Sequence, residues 1–153
     1  MSLADYLSEG VICTDMAAQD RDEALRELLM VLVEAGQLEQ EQVEPMFEAL
    51  RKREMLGSTA IGNGVAVPHA RLEGLGGTLV SLGVSRAGLP FNALDGAGVH
   101  EVFLVIAPEN DADEYLEVMK RVSRLVQDRD FRSFIKQAKS EQEIIDLVKE
   151  MDD

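Results

Sequence analysis

Arg53-Glu54-Met55-Leu56-Gly57-Ser58-Thr59-Ala60-Ile61-Gly62-Asn63-Gly64-Val65-Ala66-Val67-Pro68-His69-Ala70-Arg71 decides how the rest of this 153-residue chain is read. It sets a guanidinium (Arg53), two hydroxyls (Ser58, Thr59) and a Gly-Asn-Gly turn ahead of a short apolar strand, Val65–Val67. Pro68 fixes its own φ and confines Val67 to extended conformations, so His69 leaves the strand in a defined direction. A histidine placed this way sits at an edge with its imidazole towards solvent. Only one other histidine, His100, exists. His69 is therefore the first candidate for imidazole chemistry.

The length suits one domain over residues 1–153 with a substantial core. The apolar run Leu28–Val33 is far too short to cross a bilayer, and no basic region precedes it. The expectation is a cytoplasmic protein with no membrane insertion. A single cysteine, Cys13, rules out an internal disulfide and reads as a small apolar residue of a Val-Ile-Cys strand.

Net charge is −14, from 29 acids against 15 Lys and Arg. That disfavours nucleic-acid binding, which needs cations to neutralise phosphates. The charge is unevenly spread. Residues 1–50 hold 12 acids and 2 bases, residues 109–153 hold 13 and 8, and residues 51–108 hold only 4 acids against 5 bases. The block around His69 alone is not acidic, which suits a site holding a dianionic group. A sheet core poor in charges produces the same pattern.

Around that block the periodicities alternate between strand and helix. Met1–Glu9 reads as a lead-in and Val11–Thr14 as a short strand. Asp20 with Glu23 forms a capping-box pattern for a helix to about Ala35, stopped by Gly36. Pro45 fits the first turn of a second helix, ending near Lys52, with Met46, Phe47 and Leu50 inward. Its terminal Arg51–Arg53 favours the negative end of the helix dipole. Thr78–Ser85 alternates apolar and small residues as a strand buried on much of both faces. Gly88-Leu89-Pro90 and Asp95-Gly96 mark turns. Val102–Ala107, halted by Pro108, has the continuous apolar character of a central strand. Three helices follow: one capped by Asp111 or Asp113, with Tyr115, Val118/Met119, Val122 and Leu125/Val126 on its stripe. The next turns Phe131, Phe134, Ile135 and Ala138 inward. The last opens at Ser140-x-x-Glu143 and buries Ile144, Ile145 and Val148. The fold class expected is a single α/β domain: a mixed β-sheet flanked by helices, with a helical C-terminal segment.

The thirteen residues Gly57–His69, ending in Pro-His, resemble the active-site signature of enzyme IIA domains of the sugar phosphotransferase system. The likeness is to the fructose/mannitol class and its nitrogen-regulatory branch (type 2), and it extends through Phe103–Pro108 and the closing helices. The resemblance implies that His69 accepts a phosphoryl group through Nε2 from a histidine phosphocarrier protein, with Nδ1–H held by an acceptor. It also implies an onward target, either a permease IIB domain or a regulatory protein. Arg53 falls at the position whose guanidinium helps to bind the phosphoryl group, and its geometry suits phosphate oxygens. Ser58 and Thr59 offer hydroxyls for the same group, or cap and turn the chain. Gly62 and Gly64 supply turn angles, with backbone N–H groups as a sharper role. Arg71 faces either phosphate or an acidic partner.

One departure stands out. Many members carry a second histidine at the start of the helix after the central strand, in a Glu-His-Leu context; here the residues are Glu114-Tyr115-Leu116. Tyr115 either offers a hydroxyl to a phosphate oxygen or, lying on the helix's apolar stripe, packs as a core tyrosine with its hydroxyl at the rim. In neither role does it carry a positive charge or accept the phosphoryl group as an imidazole would. His100 does not replace that histidine, because seven extended residues put it roughly 23 Å from the relevant strand end. It reads as a surface residue. No cofactor or metal is expected: two histidines with no His-x-x-x-His or cysteine pair form no zinc pattern. Gly74-x-Gly76-Gly77 lacks the Lys-Ser/Thr ending and following helix of a nucleotide loop. Two functions remain: a phosphocarrier acting through His69, and a regulatory docking module with little or no phosphotransfer. The absence of attached permease or regulator modules tilts the first towards regulation.

Overall fold

The strand Val99–Ala107 (β5) is the axis on which the other elements are hung, and Val102–Ala107 are buried throughout. The computed structural model describes residues 2–8, 10–60 and 62–152. Met1 and Asp153, the ends of the expected domain, and Ile61 of the histidine signature lie outside them. An apolar run on both faces of a strand demands cover on both faces, and the chain supplies it with helices. Leu79–Leu89 (β4) pairs antiparallel with β5, setting Val80 opposite Val105 and Leu82 opposite Phe103. Ile12–Cys13 (β1) runs parallel on the far side of β4. On the other side of β5 lie two short parallel strands, Val65–Ala66 (β2) and His69–Arg71 (β3). They place Val65 beside Glu101 and His69 beside Val105. The sheet is mixed, in the order β1-β4-β5-β2 with β3 also on β5.

Arg21–Glu34 (α2) crosses the face that carries Ser81 and Gly83. Both residues are small, which explains the alternation in this strand: the helix backbone comes close enough for the Ser81 hydroxyl to donate to the Leu28 carbonyl at 3.3 Å. A Cβ on Gly83 would lie 2.3 Å from Met16 Sδ and 3.0 Å from Leu28 Cδ2. Gly83→Val is expected to destabilise the protein by roughly 2–3 kcal/mol through overpacking, read as a lowered urea midpoint with unchanged slope.

Val43–Met55 (α3) packs beside α2 and delivers its C-terminal end to β3. The opposite face of the sheet is covered by Ala112–Val126 (α4) and Arg129–Gln137 (α5), where Phe131 stacks on Phe103. Glu141–Met151 (α6) follows. Asp20, Asp111, Asp128 and Ser140 each accept the backbone N–H three residues on, as the capping patterns imply. The reciprocal halves are shifted by one residue: Glu23 and Glu143 bond the N–H of Gln19 and Lys139, not of the caps themselves.

Five expectations are corrected. The lead-in is a helix, Leu3–Leu7 (α1), with Leu3 and Leu7 fully buried. Its first turn is anchored by the Asp152 carboxylate, which accepts the Leu3 N–H at 2.7 Å, a contact between chain ends that no local pattern signals. The second helix continues past Lys52 to Met55. β4 continues through Leu89, with an irregularity after Val84 and Gly88 at φ +88°. Phe134 is 42% exposed, because a nine-residue helix buries only a narrow stripe, here Phe131 and Ile135. His100 is half-buried, not a surface residue: its Nδ1–H donates to the Ser85 carbonyl at 2.8 Å and its ring lies over Gly88.

Candidate functional site around His69

Beyond β2 the chain forms the outer edge of the sheet. The carbonyls of Gly64 and Pro68 and the N–H of Leu72 bond β5, so the intervening odd-numbered groups face outwards. Val67 is one of these, and its carbonyl accepts a hydrogen bond from His69 Nδ1 at 2.8 Å. A carbonyl only accepts, so Nδ1 carries a proton, and in the neutral tautomer this selects Nε2 is the nitrogen with the lone pair. The preceding turn is held by backbone chemistry. Gly62, Asn63 and Gly64 all have positive φ, a sequence of angles that glycine and asparagine tolerate best. The Gly64 carbonyl then accepts from both His100 N–H (2.7 Å) and Glu101 N–H (3.1 Å), locking β2 on β5.

The end of α3 supplies the second wall. Arg53 Nη1 donates to the Gly57 carbonyl at 2.8 Å, which folds the guanidinium over the turn and leaves its other N–H groups free to donate. Glu54 points the other way and is buried. Its carboxylate accepts the Thr59 N–H at 2.9 Å and the Thr59 hydroxyl. The Ser58 hydroxyl donates to the Phe91 carbonyl at 2.7 Å and accepts the Ala60 N–H at 3.0 Å. Both hydroxyl protons are thus engaged within the protein, tying the 57–60 turn to α3 and to the 91 loop.

The third wall is α4. Glu114 fastens its first turn, accepting Thr78 N–H at 2.9 Å and the Tyr6 hydroxyl at 2.7 Å. The Thr78 amide and then the Tyr6 hydroxyl hold the Glu114 carboxyl below the usual carboxylate range. Tyr115, the next residue, is thereby set against His69 with ring centroids 6.3 Å apart. Burial pushes the Tyr115 phenol up, against the opposing pull of Arg71 and Arg53. Arg71 lies over the same ring, its Cζ 5.5 Å from the centroid.

His69 and Arg53 stand between two cavities. One, of about 630 Å³, also takes in Lys52, Leu56, Arg71 and Tyr115. The other, of about 210 Å³, is lined by Ser58, Thr59, Val67 and Met119. Sequence-predicted residues His69, Arg53 and Tyr115 meet at the first cavity, and Ser58 and Thr59 line the second. Among the described residues no group of three or more His, Cys, Asp or Glu is placed to hold a metal ion. Among the described residues no helix is long and apolar enough to cross a membrane.

The arrangement can present the Nε2 nitrogen of one imidazole to an incoming electrophile beside a guanidinium, with Nδ1 held by a main-chain carbonyl. Residues 5–151 match the family described as "Phosphoenolpyruvate-dependent sugar phosphotransferase system, EIIA 2". The chain belongs to this family. This EIIA domain is 31% identical over 152 residues to the PTS system fructose-specific EIIABC component of Bacillus subtilis, covering 99% of the chain but 24% of that protein. It is 30% identical to a nitrogen regulatory protein of Bradyrhizobium diazoefficiens, covering 97% and 95% of the two chains. The crystal structure of nitrogen regulatory protein IIA-Ntr from Neisseria meningitidis superposes with a TM-score of 0.84 at 29% identity, covering 95% and 98%. A complex of enzyme IIAMTL with phosphorylated enzyme IIBMTL from Escherichia coli shares the fold, with a TM-score of 0.72 at 22% identity over 94% of this chain and 96% of that one.

Two parts of the candidate site escape the sequence reading. The Val67 carbonyl is a main-chain group and has no residue signature. Glu54 does have one: it follows Phe47 and Leu50 at helical spacing, so an acid falls on the inward stripe of α3.

Proposed function

We propose that this EIIA domain is a phosphocarrier that takes a phosphoryl group on His69 from a histidine phosphocarrier protein. It then passes the group on, or signals by its phosphorylation state. The observation that carries this reading is the free Nε2 of His69, left so by the Nδ1–Val67 bond, in a groove shared with Arg53 and Tyr115. In the step, the Nε2 lone pair forms the new P–N bond. The donor P–N bond breaks, and its electron pair returns to the donor nitrogen. The His69 ring gains positive charge as Nε2 is substituted, and the Val67 carbonyl on Nδ1–H stabilises it. No proton needs to move.

Phosphoryl transfer relies on positioning and electrostatics, which fits so sparse a site. Arg53 faces the phosphoryl oxygens, Ser58 and Thr59 support the turn that presents them, and Tyr115 closes the groove. The onward acceptor is a IIB-type domain or a regulatory protein. The nitrogen regulatory relative matched along nearly its whole length favours the regulatory branch. The test is incubation with phosphoenolpyruvate, enzyme I and the phosphocarrier protein, read by intact mass. Arg53→Ala is expected to slow transfer about tenfold to a hundredfold, the loss of one charge-assisted bond. Quench-flow measurement of the same transfer checks it.

A further inference from the structure

We propose that Arg71 is a second phosphoryl-binding cation of this site, held in place by the ring of Tyr115. The inference rests on the phosphocarrier reading and adds to it a residue and a positioning device. Its ground is the geometry of β3. Side chains two apart on a strand share a face, so Arg71 emerges on the same side as His69, with Ala70 turned away. Arg71 is exposed and makes no salt bridge with any described residue, so its guanidinium N–H groups are not committed to a carboxylate. Its contact is the face of Tyr115, a geometry in which a guanidinium is attracted by the ring quadrupole.

Tyr115 is itself fixed. Glu114 beside it is tied to Thr78 and Tyr6, and the Tyr115 ring leans on His69. A ring immobilised on two sides is a platform that spares a long arginine part of the entropy of ordering its chain. The Tyr115 phenol lies in the field of both Arg71 and Arg53, which places the two guanidiniums around one groove with His69. A dianion on Nε2 then meets Arg53 from the end of α3 and Arg71 from β3. Two planar forks from different elements hold three oxygens better than one. Tyr115 acts through its ring as a positioning residue, and Arg71 touches the phosphoryl group.

The experiment is single-turnover transfer from the phosphorylated phosphocarrier protein, with donor concentration varied so that maximal rate and donor KM separate. Arg71→Ala is expected to lower the maximal rate about tenfold or more, with donor KM nearly unchanged. Arg71→Lys is expected to recover only part of it, because an ammonium neither stacks nor forks in the same way. The cycle with Tyr115 isolates the platform. Arg71→Ala should cost about as much in a Tyr115→Phe background as in the wild type, and little in a Tyr115→Leu background. Circular dichroism on every variant confirms folding. A wild type that accepts no phosphate overturns the carrier reading and this inference together. A wild type that accepts phosphate while Arg71→Ala keeps its maximal rate overturns this inference alone. A change confined to donor KM also overturns it, and assigns Arg71 to the partner's surface.

Discussion

His69→Ala is expected to abolish phosphorylation completely while leaving the protein folded. Wild-type protein in the reconstituted cascade should gain the mass of one phosphoryl group, lost again on mild acid treatment. The alanine variant should gain none at any donor concentration. The effect is total because His69 is the one imidazole among the described residues that line the groove. His100, the only other imidazole, lies at the far end of β5 and is directed at Ser85 of β4. The fold should hold, because His69 is half-buried at a sheet edge and its one hydrogen bond leaves behind a carbonyl that water can reach. Stability is expected to change by less than about 1 kcal/mol. Should wild type gain nothing from cognate donors, the carrier reading falls and the docking module takes its place.

Glu101→Gln is expected to stabilise the protein at pH 8 and to flatten its stability below that. Glu101 sits on β5 between Val84 and Val65, is 1% exposed, and neither carboxyl oxygen has a hydrogen-bond partner among the described residues. Burial pushes its carboxyl up to about 7, against the weaker pull of Lys136 and Arg132 on α5. The folded state therefore holds a proton that the unfolded chain has released from about pH 4.5 upwards. The native state binds more protons across that window, so stability falls as pH rises from 4.5 to 7 and levels off above it. The carboxyl's contribution to that fall is roughly 3 kcal/mol. Urea midpoints measured from pH 5 to pH 8 should show the decline in wild type and a shallower one in Glu101→Gln. Parallel slopes for the two proteins would show that the carboxyl stays ionised in the fold.

How much of this was legible beforehand follows from the range of the forces involved. The central strand, α2 and the caps at Asp20 and Ser140 were readable because periodicity and capping act within a few residues. The histidine signature was readable because Pro68 and the glycines constrain the backbone locally. The docking of α1 on Asp152 was not, since it joins opposite ends of the chain. The burial of His100 was missed for the same reason: Gly88 and Ser85 reach it across a strand pair. Arg71 over Tyr115 depends on where a separate helix sets down its first turn. Sequence permitted Ser58 and Thr59 either to donate to a ligand or to brace the turn, and only the placement of Phe91 and Glu54 shows where their protons go.

The partner of His69 Nδ1 is a main-chain oxygen, and that has an evolutionary consequence. Where a histidine is oriented by an aspartate, one point mutation releases the ring and swaps its tautomer, and acid does the same by titrating the carboxylate. The Val67 carbonyl neither titrates nor disappears when its own side chain is exchanged. The choice of Nε2 as the free nitrogen is thus written into the path of an edge strand, where no single side-chain substitution at a neighbour removes it. On the phosphocarrier reading, selection remains free to alter Arg53, Arg71 and Tyr115, and with them rate and partner, without losing the nitrogen proposed to react.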